Sequence, residues 1–421
     1  MATRVETDPA GNPLDRFGLS RPVWLLGWVS FFTDSASEMV YPLLPLFLTQ
    51  VLGASAMSLG VIEGVAEGTS SILKIVSGWM SDRTGTPKRL VVAGYGLSSL
   101  VRPLISFVTA WPQVLALRFV DRIGKGVRTS PRDAMLASFA PERLRGRVYG
   151  FHRAMDHSGA VAGPLIAAVY LHYHPEAYRA LFTWTLVPGL IVLALTLRLP
   201  TSRRPGTSRP RSTDHGSRTT DHASRTTGHG PRPTYLGPRF YAAMSVITLF
   251  ALGNASDSFI LLRLSNLGVA AAWIPLLWSA LHVVKMIVSI TGGALSDRFG
   301  RRTLIALGYL WYAAIYGAFA YMTTLEWTIV VFLAYGVYFG LTEGVEKAWV
   351  ADMAPKGAGG VAFGIYNAAI GFGGLAASVL FGWIWTRVSP AAAFLTGAGL
   401  ALAASLLLYL AFSDATDSRH Q

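Results

Sequence analysis

The chain has 421 residues, of which 52% are hydrophobic and only 14% charged, with a formal net charge of +13. A soluble domain carries about 25% charged residues, so this composition argues against one. Cysteine is absent, which excludes disulfides, thiolate metal sites and cysteine nucleophiles.

The apolar residues gather into runs of about 20, enough to cross a hydrocarbon core of ~30 Å as helix. The runs are continuous rather than alternating, which favours helices over a transmembrane barrel. The first 21 residues are polar (Arg4, Glu6, Asp8, Asp15, Arg16) and contain no apolar core, so no cleavable signal peptide is expected. Twelve spans are predicted, at roughly 22–50, 57–81, 89–109, 112–137, 147–171, 180–198, 239–265, 272–296, 302–322, 327–352, 359–385 and 390–412.

Several spans carry charge. Asp34 and Glu38 lie one turn apart in span 1, and Tyr41 extends their face. With no cation local to them in the sequence, the two carboxylates repel, which favours a proton on one of them. That is the property a proton carrier needs. Glu63, Glu67 and Lys74 share a face of span 2. In span 4, Asp121, Lys125, Arg128 and Arg132 form one stripe, with Arg118 at its edge and Arg122 near the midplane. A lipid-exposed charge at mid-span costs at least ~2.5–3.5 kcal/mol, so these groups must face protein or a wet cavity. His152 and Asp156 share a face of span 5 and are further candidate proton carriers. Asp257 in span 7, His282 and Lys285 in span 8, and Glu343, Glu346 and Lys347 in span 10 complete the set. Structural ion pairing within one helix, Asp121 with Lys125 and Glu343 with Lys347, is an equally good reading of those four residues.

The connections alternate in charge. The loops at 82–89, 138–147 and 297–302 are rich in Lys and Arg, whereas those at 51–56, 110–111 and 323–326 are almost uncharged. Lys/Arg excess marks the cytoplasmic side, so both termini and the central loop are expected there. This distribution accounts for the basic balance without nucleic acid. The central segment, about 199–238, has seven Arg and two Asp between 201 and 236 among many Pro, Gly, Ser and Thr. It reads as a disordered linker between residues 1–198 and 239–421. His215, His222 and His229 have no framework to hold a metal there, and no metal site is expected.

The two parts resemble each other. Gly78-Trp79-Met80-Ser81-Asp82-Arg83-Thr84-Gly85, followed by Pro87-Lys88-Arg89, returns as Gly293-Ala294-Leu295-Ser296-Asp297-Arg298-Phe299-Gly300-Arg301-Arg302. Ala36-Ser37-Glu38 matches Ala255-Ser256-Asp257, and Gly146–Arg153 matches Gly360–Asn367. Internal six-helix repeats are the architecture of secondary transporters.

On these residues the chain resembles the major facilitator superfamily over its whole length. The resemblance implies an all-α membrane protein of twelve transmembrane helices in two six-helix pseudo-symmetric bundles. It also implies that the repeated Gly-x-x-x-Asp-Arg-x-Gly loops gate the cytoplasmic side, through Gly78, Asp82, Arg83 and Gly85 and through Asp297, Arg298 and Gly300. The first copy departs from the pattern, because Thr86-Pro87 displaces its basic pair. The family's facing helix is the eleventh, which here begins Gly357-Ala358-Gly359-Gly360. Gly150, Gly159, Gly163 and Pro164 in span 5 resemble the antiporter motif of the efflux members, with Ala167-Ala168 where Gly-Gly is usual. Arg122-Ile123-Gly124-Lys125-Gly126 resembles the span-4 pattern whose Arg is implicated in proton transfer.

The resulting expectation is a secondary transporter of the bacterial cytoplasmic (inner) membrane, not an enzyme, exporting a small polar or charged organic solute in exchange for protons. Asp34, Glu38, Arg122, His152 and Asp156 are the candidate proton-coupling residues. Tyr41, Glu63, Glu67, Asp121, Lys125, Asp257, His282, Lys285, Glu343 and Glu346 are candidates for the substrate cavity. The partners expected are the solute, protons and the bilayer, with no cofactor beyond the proton gradient and no nucleic acid, the protein acting as a monomer. A proton- or cation-coupled importer of the same fold, or a lipid translocase or membrane sensor, are the alternatives.

Overall fold

The structure, a computed structural model, describes residues 6–44, 47–54, 56–200, 236–269 and 273–411; the side chains of 49–50, 56–61, 63–67, 265 and 275 fall outside the description. The twelve spans follow one another as helices. Span 1 is Arg21–Glu38, continued by short turns at Tyr41–Leu43 and Phe47–Val51. Span 2 is Ala56–Thr84, span 3 Pro87–Val101 with a 3₁₀ extension Arg102–Phe107, span 4 Trp111–Ser138 and span 5 Arg145–Tyr173. Span 6 joins Tyr178–Trp184 to Leu186–Leu197, and span 7 joins Pro238–Gly253 to Ser258–Asn266. Spans 8 to 12 are Ile274–Phe299, Arg301–Tyr321, Leu325–Met353, Gly359–Arg387 and Pro390–Ala411.

Three spans expected to be continuous are interrupted. Pro42 enters the turn after span 1, and Pro188 has no N–H for the Trp184 carbonyl in span 6. The break in span 7 follows Gly253. Its freed carbonyl takes the Tyr312 hydroxyl at 3.1 Å, so a neighbouring helix satisfies the backbone that the break exposes.

Glycines set where the two halves touch. A Cβ on Gly78 would strike the Gly360 carbonyl, and one on Gly150 would strike Ser289 and Gly293. Span 2 therefore lies directly on span 11, and span 5 on span 8. Gly85 and Gly300, which end the repeated loops, have φ of +63° and +89°, conformations that favour glycine.

Those loops lie on what is here called the basic face. A buried cluster drawn from both halves, including Met135, Val148 and Tyr149 on one side and Ala348, Val350 and Phe363 on the other, fills that end. The remaining clusters each belong to one half. Leu199 and Leu236 are buried in the shared cluster, so the ends of the segment read as linker are packed. Residues 201–235, with His215, His222 and His229, lie outside the described residues.

Among the described residues, eight spans are long and apolar enough to cross a membrane unaided: spans 3 and 6, and all six of the second half. Spans 1, 2, 4 and 5, which carry most of the first half's intramembrane charge, do not qualify.

Candidate transport cavity and gate

On the basic face, each repeated loop presents its aspartate to the first turn of a helix in the other half. Gly360 N–H and Val361 N–H donate to the two Asp82 oxygens at 2.8 and 2.7 Å. Gly146 N–H and Arg147 N–H donate to Asp297 at 2.9 and 2.7 Å. The first-turn amides of span 11 and span 5 are the groups left without intrahelical partners, and partial positive charge collects there. The second copy adds cations: Arg301 pairs with Asp297 and, at 3.2 Å, with Asp352, which Arg145 also holds at 2.7 Å. In the first copy the displaced Lys88 donates to the Leu197 carbonyl at 3.1 Å. Arg83 and Arg298, read as gate residues, point outward over Trp79 and Phe299 on their own loops, at 5.1 and 5.4 Å.

Above this closed end lies a cavity of about 330 Å³ between the halves. Its first-half wall carries Asp34, Lys74, Lys125, Arg128, Arg132, Arg153 and Asp156. Its second-half wall is aromatic as well as charged, with Phe250, Tyr338, Phe339 and Tyr366 beside Glu343, Glu346 and Lys347. Of the stripe read from span 4, Lys125, Arg128 and Arg132 reach this space.

Asp34 and Glu38 rest on the antiporter-like glycines. A Cβ on Gly159 would meet Phe31, Ser35 and Asp34, and one on Gly163 would meet Ser35 and Glu38. Span 5 thus packs against the backbone that bears both carboxylates, and its helix continues through Pro164. The pair does not lack cations, contrary to the sequence expectation. Lys125 and Arg132 face Asp34, while Lys125, Arg102, Arg122 and Arg118 face Glu38. The reason is tertiary: span 4 turns its charged stripe towards span 1.

Other expected cavity residues lie elsewhere. Asp121 is buried against Arg102 at 3.2 Å and Arg118 at 3.7 Å, and does not line the cavity. Tyr41 lies beneath Arg118 and Arg122, whose guanidinium carbons stand 3.9 and 5.0 Å from its ring centre. Lys285 pairs with Asp257 at 3.5 Å and sits 3.4 Å from the Phe339 ring, behind the cavity wall. Tyr335 donates to the same Asp257 at 2.7 Å. The side chains of Glu63 and Glu67 lie outside the described residues.

Neither intrahelical ion pair is the principal contact. Lys347 reaches across the halves to Asp133 at 2.7 Å, which Arg132 holds at 2.9 Å. Glu346 accepts from Tyr309 at 2.9 Å and Tyr366 at 3.0 Å. Glu343 faces Arg153 at 3.8 Å and His157 at 3.4 Å, and His157 Nδ1 meets His282 Nδ1 at 3.3 Å. Arg153 also holds Asp156 at 2.9 Å, and Ser30 bridges Asp156 and His152. The sequence reading does not single out Asp133, His157, Ser30 or Arg102. Only the polarity of Asp133, Arg102 and His157 within apolar runs could have flagged them.

The chain matches the family model of the Major Facilitator Superfamily over residues 23–342 and 240–421. It is 31% identical over 396 residues to an uncharacterized MFS-type transporter of Methanocaldococcus jannaschii, covering 93% of this chain and 94% of that protein. An uncharacterized protein of Mycobacterium tuberculosis is 28% identical over 380 residues, covering 88% of this chain and 90% of its own length. Among solved structures, the proton:xylose symporter XylE superposes with a TM-score of 0.70 at 20% identity, covering 92% of this chain and 94% of that one. The human organic anion transporter MFSD10 gives 0.68 at 16% identity, covering 92% and 99%. The chain belongs to the major facilitator superfamily and is a multi-pass membrane transporter of that fold.

Proposed function

We propose that the protein exports a small organic anion or zwitterion in exchange for protons, by alternating access of the cavity between its halves. The basic face is read as cytoplasmic, in the inner membrane of a bacterial cell, with both termini on that side. The observation that carries the substrate reading is the unlike pair of cavity walls. Lys74, Lys125, Arg128, Arg132 and Arg153 present cationic groups from the first half, and Phe250, Tyr338, Phe339 and Tyr366 present rings from the second. A compact solute with an anionic head and a flat apolar body complements both. At about 330 Å³ the space is at the small end of ligand pockets, which run from ~300 to 1,000 Å³. Support for exchange comes from Gly159 and Gly163, whose packing under Asp34 and Glu38 couples the antiporter-like segment to two membrane carboxylates.

The test is transport in proteoliposomes under an imposed pH gradient, with radiolabelled benzoate as the anionic probe and benzylamine as its cationic counterpart. Benzoate moving against the proton flow, with benzylamine excluded, is the expected result. Movement with the protons would make the protein an importer, and transport of benzylamine alone would overturn the anion reading.

A further inference from the structure

His157, His282 and Glu343 form a chain of titratable groups across the seam between the halves. His157 stands on span 5 of the first half, and His282 and Glu343 on spans 8 and 10 of the second. The imidazoles meet through Nδ1 at 3.3 Å, and His157 Nε2 faces Glu343 Oε2 at 3.4 Å. Two Nδ1 atoms at that distance require one proton between them. An ionised Glu343 calls for the His157 proton on Nε2. His157 Nδ1 can then accept from a neutral His282, or carry a second proton and donate to it while His282 holds its own on Nε2. The chain therefore takes up one proton without losing a contact, and both forms bridge the halves.

We propose that this His157–His282–Glu343 chain is the proton-accepting site that couples proton uptake to the closed state of the basic face. The inference rests on the proton-coupled reading above, but moves the coupling from the carboxylates of span 1 to the seam of spans 5, 8 and 10. The geometry supplies a direction. Protonating the dyad places an imidazolium against Glu343 of the opposite half and so strengthens the seam. Deprotonation leaves Glu343 to Arg153, at 3.8 Å. The charged groups that act on this balance are Arg153 and Asp156 from span 5, Lys285 from span 8, Asp257 from span 7, Glu343 and Glu346 from span 10, and Asp34 from span 1 through Asp156. Lys285 and Arg153 oppose the added charge, and Glu343 favours it. His282 also meets the edge of Trp278, with ring centres 5.1 Å apart, which keeps its ring in place.

The chain has no cysteine, so spin labels attach only where one is introduced. Thr84 and Lys356 are exposed on the basic face, one in each half. Their cysteine variants, labelled in lipid nanodiscs with no solute added, report the gate distance by pulsed electron resonance. The closed fraction is expected to rise as pH falls from about 8 to about 5. A one-proton step changes the open-to-closed ratio at most about tenfold per pH unit. In H157Q, which removes the group that carries the added proton, the transition should flatten to under about twofold across the range, whereas in H282Q, which keeps that group but changes its partner, the midpoint should move. Distance distributions in each variant that match the wild type at one end of the range establish that it is folded. A wild-type transition that persists unchanged in both variants overturns this inference and leaves the proton-coupled reading standing. No pH response in the wild type, together with benzoate transport indifferent to the pH gradient, overturns both.

Discussion

Lys347 and Asp133 meet across the two halves with side chains 2% and 0% exposed, and Arg132 supplies a second cation to the same carboxylate. Tyr149 adds a bond from its hydroxyl to the Asp133 carbonyl at 2.7 Å, so this site is fixed from three helices. A buried ion pair gains little over an apolar pair of the same shape, because both ions lose their hydration. Removing one partner, however, strands the other charge and costs about 3–5 kcal/mol. Lys347→Met leaves Asp133 with Arg132 alone, and Asp133→Asn leaves Lys347 buried without its carboxylate. Each single variant is expected to lower the thermal midpoint in detergent or nanodiscs well below the wild type. The double variant removes the stranded lysine but leaves Arg132 without its carboxylate, so it should recover only part of the loss. Equal midpoints for all four proteins would show that water enters the site and screens it. Nothing in the sequence joins these residues, which lie 214 positions apart.

At the scale of single helices, span 4 is the least self-sufficient. Its buried face carries Arg118, Asp121, Arg122, Arg128, Arg132 and Asp133. Each charge near mid-membrane opposes insertion by ~2.5–3.5 kcal/mol, while an apolar residue returns only ~0.3–0.6. In a translocon reporter, the isolated segment Trp111–Ser138 should fail to insert and Pro390–Ala411 should insert efficiently. Efficient insertion of span 4 alone would contradict the claim that its neighbours hold it in the membrane. The element plan was legible in the sequence because twenty-residue apolar runs and charged loops leave strong signals. So was the pairing of Asp82 with the start of span 11, because the resemblance to the family implies that facing helix. The partners of span 4 were not legible. A helical stripe shows which residues share a face, but not which helix turns towards it. Asp121 thus stood beside Lys125 in the sequence and lies against Arg102 in the structure. The breaks in spans 1 and 6 have a related reason: hydropathy is blind to the missing N–H of Pro42 and Pro188 when the surroundings stay apolar.

The whole molecule divides its labour unevenly. Among the described residues, all six spans of the second half are long and apolar enough to cross a membrane, against two in the first. The first half also relies on the second for several contacts: Lys347 for Asp133, Glu343 for Arg153 and His157, and the amides of Gly360 and Val361 for Asp82. Span 4 is satisfied internally at one end, through Arg102, Arg118 and Asp121, and by the second half at the other, where Lys347 meets Asp133. A chain cut within 201–235 therefore offers a direct test of this dependence. Expressed alone, the second half should accumulate in membranes. The first half alone should be degraded, since its buried charges and the apolar cluster on the basic face are left open. Co-expression should restore it, with the two fragments purifying together, because the contacts between the halves on the basic face are noncovalent among the described residues. Immunoblots of membrane fractions read the result. A first half equally abundant with and without its partner would mean that its intramembrane charges find water or each other, and that the inter-half contacts position the halves without sustaining them.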